Sequence, residues 1–439
     1  MKTTHIQAGC HPQYRGQRAV RDMSLLALFL LLAMLSGMAQ TYTVLHTFAG
    51  RPDGGVPWAR VLRDNAGALY TTTYFGGAFA YGAVLKIDAH GKETALHSFW
   101  GGDGLRAWSG LIRDKSGNFY GTTQEGGTPE GNPMWPLCDF GCGTVFKLDG
   151  AGKLTMLHAF TGGADGGVPE AGLVRDSSGD LYGVTTAGGT SGCYSGYGAC
   201  GVVFKIDTNG RETVLHAFSG SDGWSPSGEL LRDKQGNLYG AAEYGGNSNG
   251  CPDLGCGTIF KVNAKGKLEV LYNFTGGADG AFPQGPLVRD GQGNLYGTAE
   301  GGGNLSDCAD PTTGCGVVFK LDKHGKETVV YAFQGSPDGG YPMGGVIRDG
   351  SGNLFGTTSV GGSGNCRDYP GCGTIFKIDT NGKETVLYSF TGGKDGAEPE
   401  DALVMDNAGN LYGTAPYGGD LSCGPDYDPG CGVVFKLAP

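Results

Sequence analysis

"GCGVVFKLAP", residues 430–439, is the last of six closely similar stretches in this 439-residue chain. Each of the other five, such as GCGTIFKID at 371–379, continues through a turn into a second apolar alternating run, here GKETVLYSF at 382–390. The last copy ends without that second run. A matching run, TYTVLHTF at 41–48, stands near the other end of the chain with no first run before it.

Each repeat is marked by a phenylalanine that ends a strand-like run and by an Asp-Gly pair that follows four or five positions later. This marker occurs seven times at intervals of 51 to 61 residues. The aromatic residues are Phe48, Phe99, Phe160, Phe218, Phe274, Phe333 and Phe390, and the aspartates are Asp53, Asp103, Asp165, Asp222, Asp279, Asp338 and Asp395. Each repeat holds four strand-like runs, a to d, which in the third repeat are AGLVRD, DLYGVTT, GVVFKID and RETVLHAF.

Four-stranded antiparallel units at this period predict the blades of a β-propeller. The turn after strand a keeps Asp-x-x-Gly in all seven repeats, which favours tight hairpins; as a calcium loop, each such turn supplies too few carboxylates. We predict an all-β fold, a seven-bladed β-propeller of four-stranded antiparallel blades, over residues 40–439 as one domain. The strand at 41–48 completes the last blade and closes the ring.

Residues 1–39 differ from the rest of the chain. An apolar run, MSLLALFLLLAMLSGMAQ, follows Arg15, Arg18 and Arg21, and small residues before Ala39 suit a signal peptidase. We interpret 1–39 as a signal peptide, with Met23 as an alternative start. The chain is therefore predicted to be secreted, to the medium or the periplasm, with no membrane span after signal removal.

The net charge of the chain indicates which class of partner is disfavoured. Without residues 1–39 the chain carries 28 lysines and arginines against 42 acidic residues, a net charge of −14. This excess of negative charge disfavours nucleic acid as a partner.

Twelve cysteines form six close pairs along the chain. We interpret them as one local disulfide per repeat rather than as zinc ligands. The pairs are Cys138 with Cys142, Cys193 with Cys200, Cys251 with Cys256, Cys308 with Cys315, Cys366 with Cys372, and Cys423 with Cys431. We predict no metal site and no cofactor.

The units GNLYGTT…GG…GCGTVFK and GKETVLHSF, taken together over residues 42–437, resemble the GloVer-type tandem repeats of bacterial secreted proteins. The strand pattern is also similar, less specifically, to NHL-type and streptogramin-lyase propellers. The first resemblance implies the fold and export but no reaction. The second would imply catalytic histidines in the loops, and this chain has none at matching places.

Alternate connections of a blade lie at opposite ends. The a–b and c–d hairpins share one face. The b–c loops share the other with the d–a crossings, which connect strand d of one blade to strand a of the next. We call this second face the loop face and expect it to carry function. His46, His97, His158 and His216 occupy one slot of strand d that repeats five to seven fill with tyrosine, which is typical of packing. The crossing aspartates are interpreted as turn residues, with a cation or polar ligand as the alternative.

Residues that break the repeat are the better site candidates. Trp58 and Trp108 share one position at the entry to strand a, where a channel rim is expected, with Arg106 and Glu170 nearby. Trp100 lies in a crossing and Trp135 in the longest b–c loop. Rigid aromatic faces beside a few polar groups suit sugar rings or flat apolar ligands, although the tryptophans could instead cap the packing between blades.

We therefore predict a monomeric binding module at the cell surface, with a glycan or a protein as its partner. Two alternatives stay open. One is an extracellular lyase or hydrolase that uses carboxylates of the loop face, such as Asp103, Glu125 and Glu170; the other is a purely structural repeat protein.

Overall fold

The computed structural model describes residues 40–127, 138, 140–189, 193, 200–246, 250–305, 308, 313–366, 369–423 and 430–439. Every regular element within these ranges is a β-strand. No helix in the described part of the chain has the length and hydropathy needed to span a membrane. Contacts join Tyr42–Ala438 into one compact unit.

Seven four-stranded antiparallel sheets, the blades, are arranged in a ring. In order from blade 1 to blade 7, strands a are Leu62–Arg63, Ile112–Arg113, Val174–Arg175, Leu231–Arg232, Ala281–Arg289, Val346–Arg348 and Val404–Met405. Strands b are Leu69–Thr73, Phe119–Thr123, Leu181–Thr185, Leu238–Ala242, Leu295–Gly301, Leu354–Thr358 and Leu411–Ala415. Strands c are Ala83–Ile87, Thr144–Leu148, Val202–Ile206, Thr258–Val262, Val317–Leu321, Thr374–Ile378 and Val433–Ala438.

Strands d are Glu93–Ser98, Leu154–Ala159, Glu212–Ala217, Leu268–Asn273, Glu327–Ala332, Glu384–Ser389 and, in blade 7, Thr41–Thr47. Two short ribbons on the loop face add Gly54–Gly55 with Phe75–Gly76 and Gly361–Cys366 with Tyr369–Gly371. The N-terminal strand Thr41–Thr47 thus lies beside Val433–Ala438 as the outer strand of blade 7. The predicted fold class and the predicted closure of the ring are both confirmed.

The core lies between neighbouring blades and holds a pair of phenylalanines at six of the seven interfaces. The phenylalanine that directly follows strand d meets the phenylalanine of strand c in the next blade, as Phe160 meets Phe204 with ring centroids 5.1 Å apart and planes at 65°. Both side chains are fully buried, and edge-to-face pairs of this kind stabilise beyond the area they bury.

A glycine of strand b makes room for the phenylalanine of strand c. A Cβ atom on Gly183 would lie only 2.6 Å from Cζ of Phe204, so any larger residue would displace the ring. Blade 1 differs at both positions at once, with Thr71 in place of the glycine and Leu85 in place of the phenylalanine. The two changes compensate because the shorter leucine leaves space for the threonine.

The hairpin face is nearly identical in every blade. In blade 4 the Oδ1 atom of Asp233 accepts the amides of Gln235 and Asn237 at 3.0 and 2.9 Å, and its Oδ2 atom accepts the hydroxyl of Tyr239 at 3.1 Å. Arg289 of the next blade lies 3.6 Å from the same carboxylate and 5.4 Å from the Tyr239 ring. The Asp-x-x-Gly motif therefore joins neighbouring blades as well as turning the chain.

Candidate functional site

The entry to strand a lines a central channel, because strand a is the innermost strand of each blade. One residue per blade occupies this position and borders a cavity of about 280 Å³. These residues are Trp58, Trp108, Glu170, Ser227, Gln284, Met343 and Glu400. The wall of the channel is therefore made by a position that holds five different residue types in the seven repeats.

Two positions before each of these residues, the backbone adopts the left-handed conformation, and this orients the side chain that follows. In blade 3 the left-handed residue is Val168, with φ of 57°. Its amide donates to the carbonyl of Cys142 in blade 2 at 2.8 Å, and its carbonyl accepts the amide of Thr186 at 3.1 Å. A left-handed non-glycine residue costs about 1–3 kcal/mol, and these bonds hold it. The equivalents are Val56, Arg106, Val168, Ser225, Phe282, Tyr341 and Glu398.

One side of the channel is aromatic. The rings of Trp58 and Trp108 stack with centroids 3.9 Å apart at 22°, and Tyr74 meets them edge-on at 4.7 and 5.4 Å. Arg106 lies 5.4 Å from the Tyr74 ring and forms an ion pair with Glu125. Nε1 of Trp58 is buried and has no hydrogen-bond partner within the described residues. The predicted neighbours Trp58, Trp108 and Arg106 do lie together.

The other side of the channel is acidic. Glu170 and Glu243 line it, and Glu170 accepts a hydrogen bond from Nε2 of Gln124 at 2.6 Å. Glu300 lies outside the lining and accepts a hydrogen bond at 2.7 Å from Nε2 of Gln284, which does line the channel. Burial raises the pKa of Glu170 to about 7, although the bond from Gln124 opposes the change, and burial also raises the pKa of Glu300 to about 7. Burial raises the pKa of Glu243 to about 8, with repulsion from the other two acids adding to it.

An ion pair spans the channel in the next layer, two positions after the residues of the wall. Nη2 of Arg60, in blade 1, lies 2.6 Å from Oε2 of Glu229 in blade 4, and the Arg60 amide donates to Asp401 of blade 7. Most other repeats carry a small residue in this layer, such as Gly110 or Gly172, which leaves room for the side chains of Arg60 and Glu229 to meet. Burial raises the pKa of Glu229, and the charge of Arg60 opposes that increase.

Sequence reasoning missed five of these residues, which are Arg60, Glu229, Asp401, Glu243 and Glu300. The signal that would have found them is the one that identified the tryptophans. Arg60, Glu229 and Asp401 each stand just before strand a, at positions where most other repeats have a small residue. Glu243 and Glu300 stand at the end of strand b, where other repeats have Thr186, Ser359 or Pro416.

The remaining predicted residues lie elsewhere. Trp100 is 58% exposed in the crossing from blade 1 to blade 2 and lies over Gly102 of its own loop. Trp135 and the proposed signal peptide, residues 1–39, fall outside the described residues. Asp103 accepts a hydrogen bond from the ring of His97 at 2.7 Å, so its carboxylate has a structural partner.

The crossing aspartates and the strand d histidines or tyrosines, treated separately in the sequence, are partners in the structure. Asp222 pairs with Nε2 of His216 at 2.8 Å, and Asp279 accepts the hydroxyl of Tyr272 at 2.9 Å. A β-bulge in strand d turns the ring toward the crossing. Histidine and tyrosine play the same part in these two pairs because each presents a hydrogen-bond donor to the aspartate. None of these aspartates is among the described residues that line the channel.

All six predicted cysteine pairs are compatible with disulfides, with Cα–Cα distances of 4.8 to 5.9 Å. They join Cys138 to Cys142, Cys193 to Cys200, Cys251 to Cys256, Cys308 to Cys315, Cys366 to Cys372, and Cys423 to Cys431. The pairing predicted from the spacing is therefore the pairing in the structure.

The second cysteine of each pair also supports the channel wall. Its carbonyl accepts the amide of the left-handed residue in the following blade. Cys256 accepts the amide of Phe282 at 2.9 Å, and Cys200, Cys315, Cys372 and Cys431 accept the equivalent amides at 2.8 to 3.1 Å. Each pair therefore fixes a b–c loop at the point where it holds the next blade.

Comparison with solved structures supports the fold alone. The extracellular domain of a protein described as a hybrid two-component system of B. thetaiotaomicron matches with a TM-score of 0.52 and 12% identity, over 91% of this chain and 41% of that one. This chain thus spans less than half of that protein. A luciferin-regenerating enzyme matches with a TM-score of 0.44 and 12% identity over 91% and 95% of the two chains. A gluconolactonase of Xanthomonas campestris matches with a TM-score of 0.37 and 16% identity over 67% and 78%.

No curated protein matches the chain in sequence. The model of one family, the Gloeobacter/Verrucomicrobia repeat, matches residues 34–192, 137–367 and 308–439, which overlap to cover the seven blades. Together with the repeat pattern and the ring of blades, these matches show that the chain belongs to the Gloeobacter/Verrucomicrobia repeat family.

Proposed function

We propose that this protein is a secreted binding module that receives a sugar residue of a glycan in the mouth of its central channel. The observation that carries the proposal is the two-sided wall, with Trp58 and Trp108 on one side and the buried carboxyl groups of Glu170 and Glu243 on the other. A sugar ring has an apolar face of C–H groups and an edge of hydroxyls, which match these two sides.

The carboxyl groups can serve a neutral, polyhydroxylated ligand in both protonation states. A pKa near 7 or 8 leaves Glu170 and Glu243 partly protonated at neutral pH, so they can donate as well as accept hydrogen bonds. The ion pair of Arg60 with Glu229 closes the layer below. A cavity of about 280 Å³ lies at the small end of the range for ligand sites, which favours the end of a glycan over its middle.

Two other properties belong to the same proposal. The six disulfide-compatible pairs fit an oxidising compartment, which supports export to the medium or the periplasm. A protein that carries a glycan site on the loop face of a closed ring can act as a monomer.

The test is a binding measurement with a panel of soluble glycans and cell-wall fragments. Tryptophan fluorescence of the oxidised protein screens the panel, and isothermal calorimetry then measures the variants, because the variants remove the fluorescent groups themselves. We expect Trp58→Ala with Trp108→Ala to abolish saturable binding and Glu170→Gln to weaken it about tenfold.

Trp100→Ala is the matched control, since it removes a tryptophan of the loop face that lies outside the channel wall, and its affinity should equal that of the wild type. Unchanged affinity in a correctly folded double variant of Trp58 and Trp108 would place binding elsewhere. If no glycan of the panel binds, the proposal is wrong and the tryptophans serve packing.

A glycan hydrolase or lyase is the second candidate, favoured by the raised pKa of Glu170 inside the channel, which suits a general acid. Glu125 supports it less, because its carboxylate is held by Arg106. Release of reducing sugar from a bound glycan, lost in Glu170→Gln, would make the protein an enzyme; binding without release would leave it a binding module.

A further inference from the structure

We propose that His46, Asp53 and Glu93 form a binding site for a divalent transition-metal ion, typified by Zn²⁺, at the interface of blades 7 and 1. His46 belongs to strand Thr41–Thr47, Asp53 to the crossing that follows, and Glu93 to strand d of blade 1. One nitrogen of His46 and one oxygen from each carboxylate all lie within 4.8 Å of one another. The side chains are only 14 to 19% exposed.

The distances match metal coordination better than hydrogen bonding. Nε2 of His46 lies 3.4 Å from Oδ2 of Asp53 and 3.2 Å from Oε2 of Glu93. Ligand atoms about 2.0–2.1 Å from a tetrahedral zinc ion stand about 3.3 Å apart. Nε2 of His46 and Oε2 of Glu93 are also buried, and neither makes a hydrogen bond within the described residues.

Other blade interfaces show what happens without the third ligand. Leu154 and Leu268 occupy the position of Glu93 at two interfaces. There the histidine and aspartate close to direct hydrogen bonds, at 2.7 Å for His97 and Asp103 and at 2.8 Å for His216 and Asp222. The wider spacing at His46 therefore goes together with the added glutamate.

A second interface shares the wider spacing of histidine and aspartate. His158 stands 3.4 Å from Asp165, and Glu212 occupies the position of Glu93. Nε2 of His158 and Oε1 of Glu212 are again buried without a hydrogen bond among the described residues. The wider spacing of histidine and aspartate thus recurs where a glutamate occupies the position of Glu93.

Asp53 is fixed for this role by its backbone surroundings. Its Oδ1 atom accepts the amide of Gly54 at 2.7 Å, and its Oδ2 atom accepts the amide of Ala49 at 3.1 Å. One imidazole and two carboxylates suit zinc or manganese, whereas calcium and magnesium prefer oxygen ligands alone. A bound ion would link the closing strand of blade 7 to blade 1.

The experiment is calorimetric titration of the purified, oxidised, tag-free protein with ZnCl₂ after dialysis against EDTA and then chelator-free buffer. Glu93→Leu is the test variant, because it installs the residue that the neighbouring interface already carries at Leu154 and should fold. Glu327→Leu is the matched control: Glu327 occupies the equivalent position, but its partner there is Tyr272, whose hydroxyl donates to Asp279.

We expect saturable Zn²⁺ binding by the wild type and by Glu327→Leu, and the loss of one equivalent in Glu93→Leu. Zinc should also raise the melting temperature of the wild type by several degrees more than that of Glu93→Leu. Absence of saturable binding up to about 1 mM, or an unchanged stoichiometry in Glu93→Leu, would show that the three side chains form an ion-pair cluster and no metal site.

Discussion

The hairpin face and the channel differ in how closely the seven repeats resemble one another. On the hairpin face each turn after strand a is organised by an aspartate, such as Asp64, Asp233 or Asp406, with the same pattern of hydrogen bonds. In the channel, the equivalent positions range from tryptophan to glutamate, glutamine and methionine. Repetition therefore identifies what the fold needs, and departure from repetition identifies where a ligand site can be built.

The largest expected effect is on the repeated part of the molecule. Phe204→Ala removes a fully buried ring that packs on Phe160 and over Gly183, so the free energy of unfolding should fall by about 3–5 kcal/mol. Urea denaturation measures it. Trp100→Ala, at an exposed and unrepeated position, should change the same quantity by less than about 0.5 kcal/mol; similar losses in the two variants would remove the distinction.

The hairpin turns give a smaller and more selective effect. Asp233→Ala deprives the Gln235 and Asn237 amides, the Tyr239 hydroxyl and Arg289 of their shared acceptor, and should lower the free energy of unfolding by about 1–3 kcal/mol.

Asp349→Ala is the comparison for this turn. Asp349 also accepts turn amides, but Phe355 and Met405 replace the tyrosine and the arginine of the next blade. We expect a smaller loss than in Asp233→Ala, and an equal loss would show that the contacts between blades add nothing to the turn.

The smallest effect is a dependence on pH and concerns three acids, of which Glu170 and Glu243 line the channel and Glu300 lies beside it. Burial raises the pKa of Glu170, Glu243 and Glu300 from 4.5 to about 7, 8 and 7, so the folded protein holds these protons more tightly than the unfolded chain. Their stabilising contribution is complete below pH 4.5 and is lost as pH rises through 7 to 8.

The triple variant Glu170→Gln, Glu243→Gln, Glu300→Gln should therefore lose less stability between about pH 5 and 8 than the wild type. The urea midpoint at each pH measures the difference between the two proteins. Their histidines are the same, so the titration of these residues contributes equally to both curves and cancels in the difference. Parallel curves for the two proteins would mean that these carboxyl groups titrate alike in the folded and unfolded states.

Much of the fold was predictable because its determinants are local. Asp-x-x-Gly turns, alternating strands and the unpaired run at 41–48 predicted seven blades and their closure. The neighbouring positions of Trp58 and Trp108 followed from the same period. Contacts across the ring were not predictable in this way: Arg60 and Glu229 meet although 169 positions separate them, and no local pattern encodes the reach of one side chain across the channel.

The pairing of His216 and Tyr272 with their aspartates was missed for a related reason. Both residues were visible, but a bulge in strand d decides where the ring points, and the run ETVLHA shows no sign of a bulge.

The pairing of Thr41–Thr47 with Val433–Ala438 also sets an order of events during biosynthesis. The first of these strands leaves the ribosome hundreds of residues before its partner exists, so blade 7 is the last blade that can form. Joining such distant segments of an unfolded chain carries a large loop-closure entropy, whereas six stacked blades already hold the two ends close together. Until that final pairing, the outer edge of strand c in blade 7 is open to other chains, and the ring is most exposed to aggregation just before it closes.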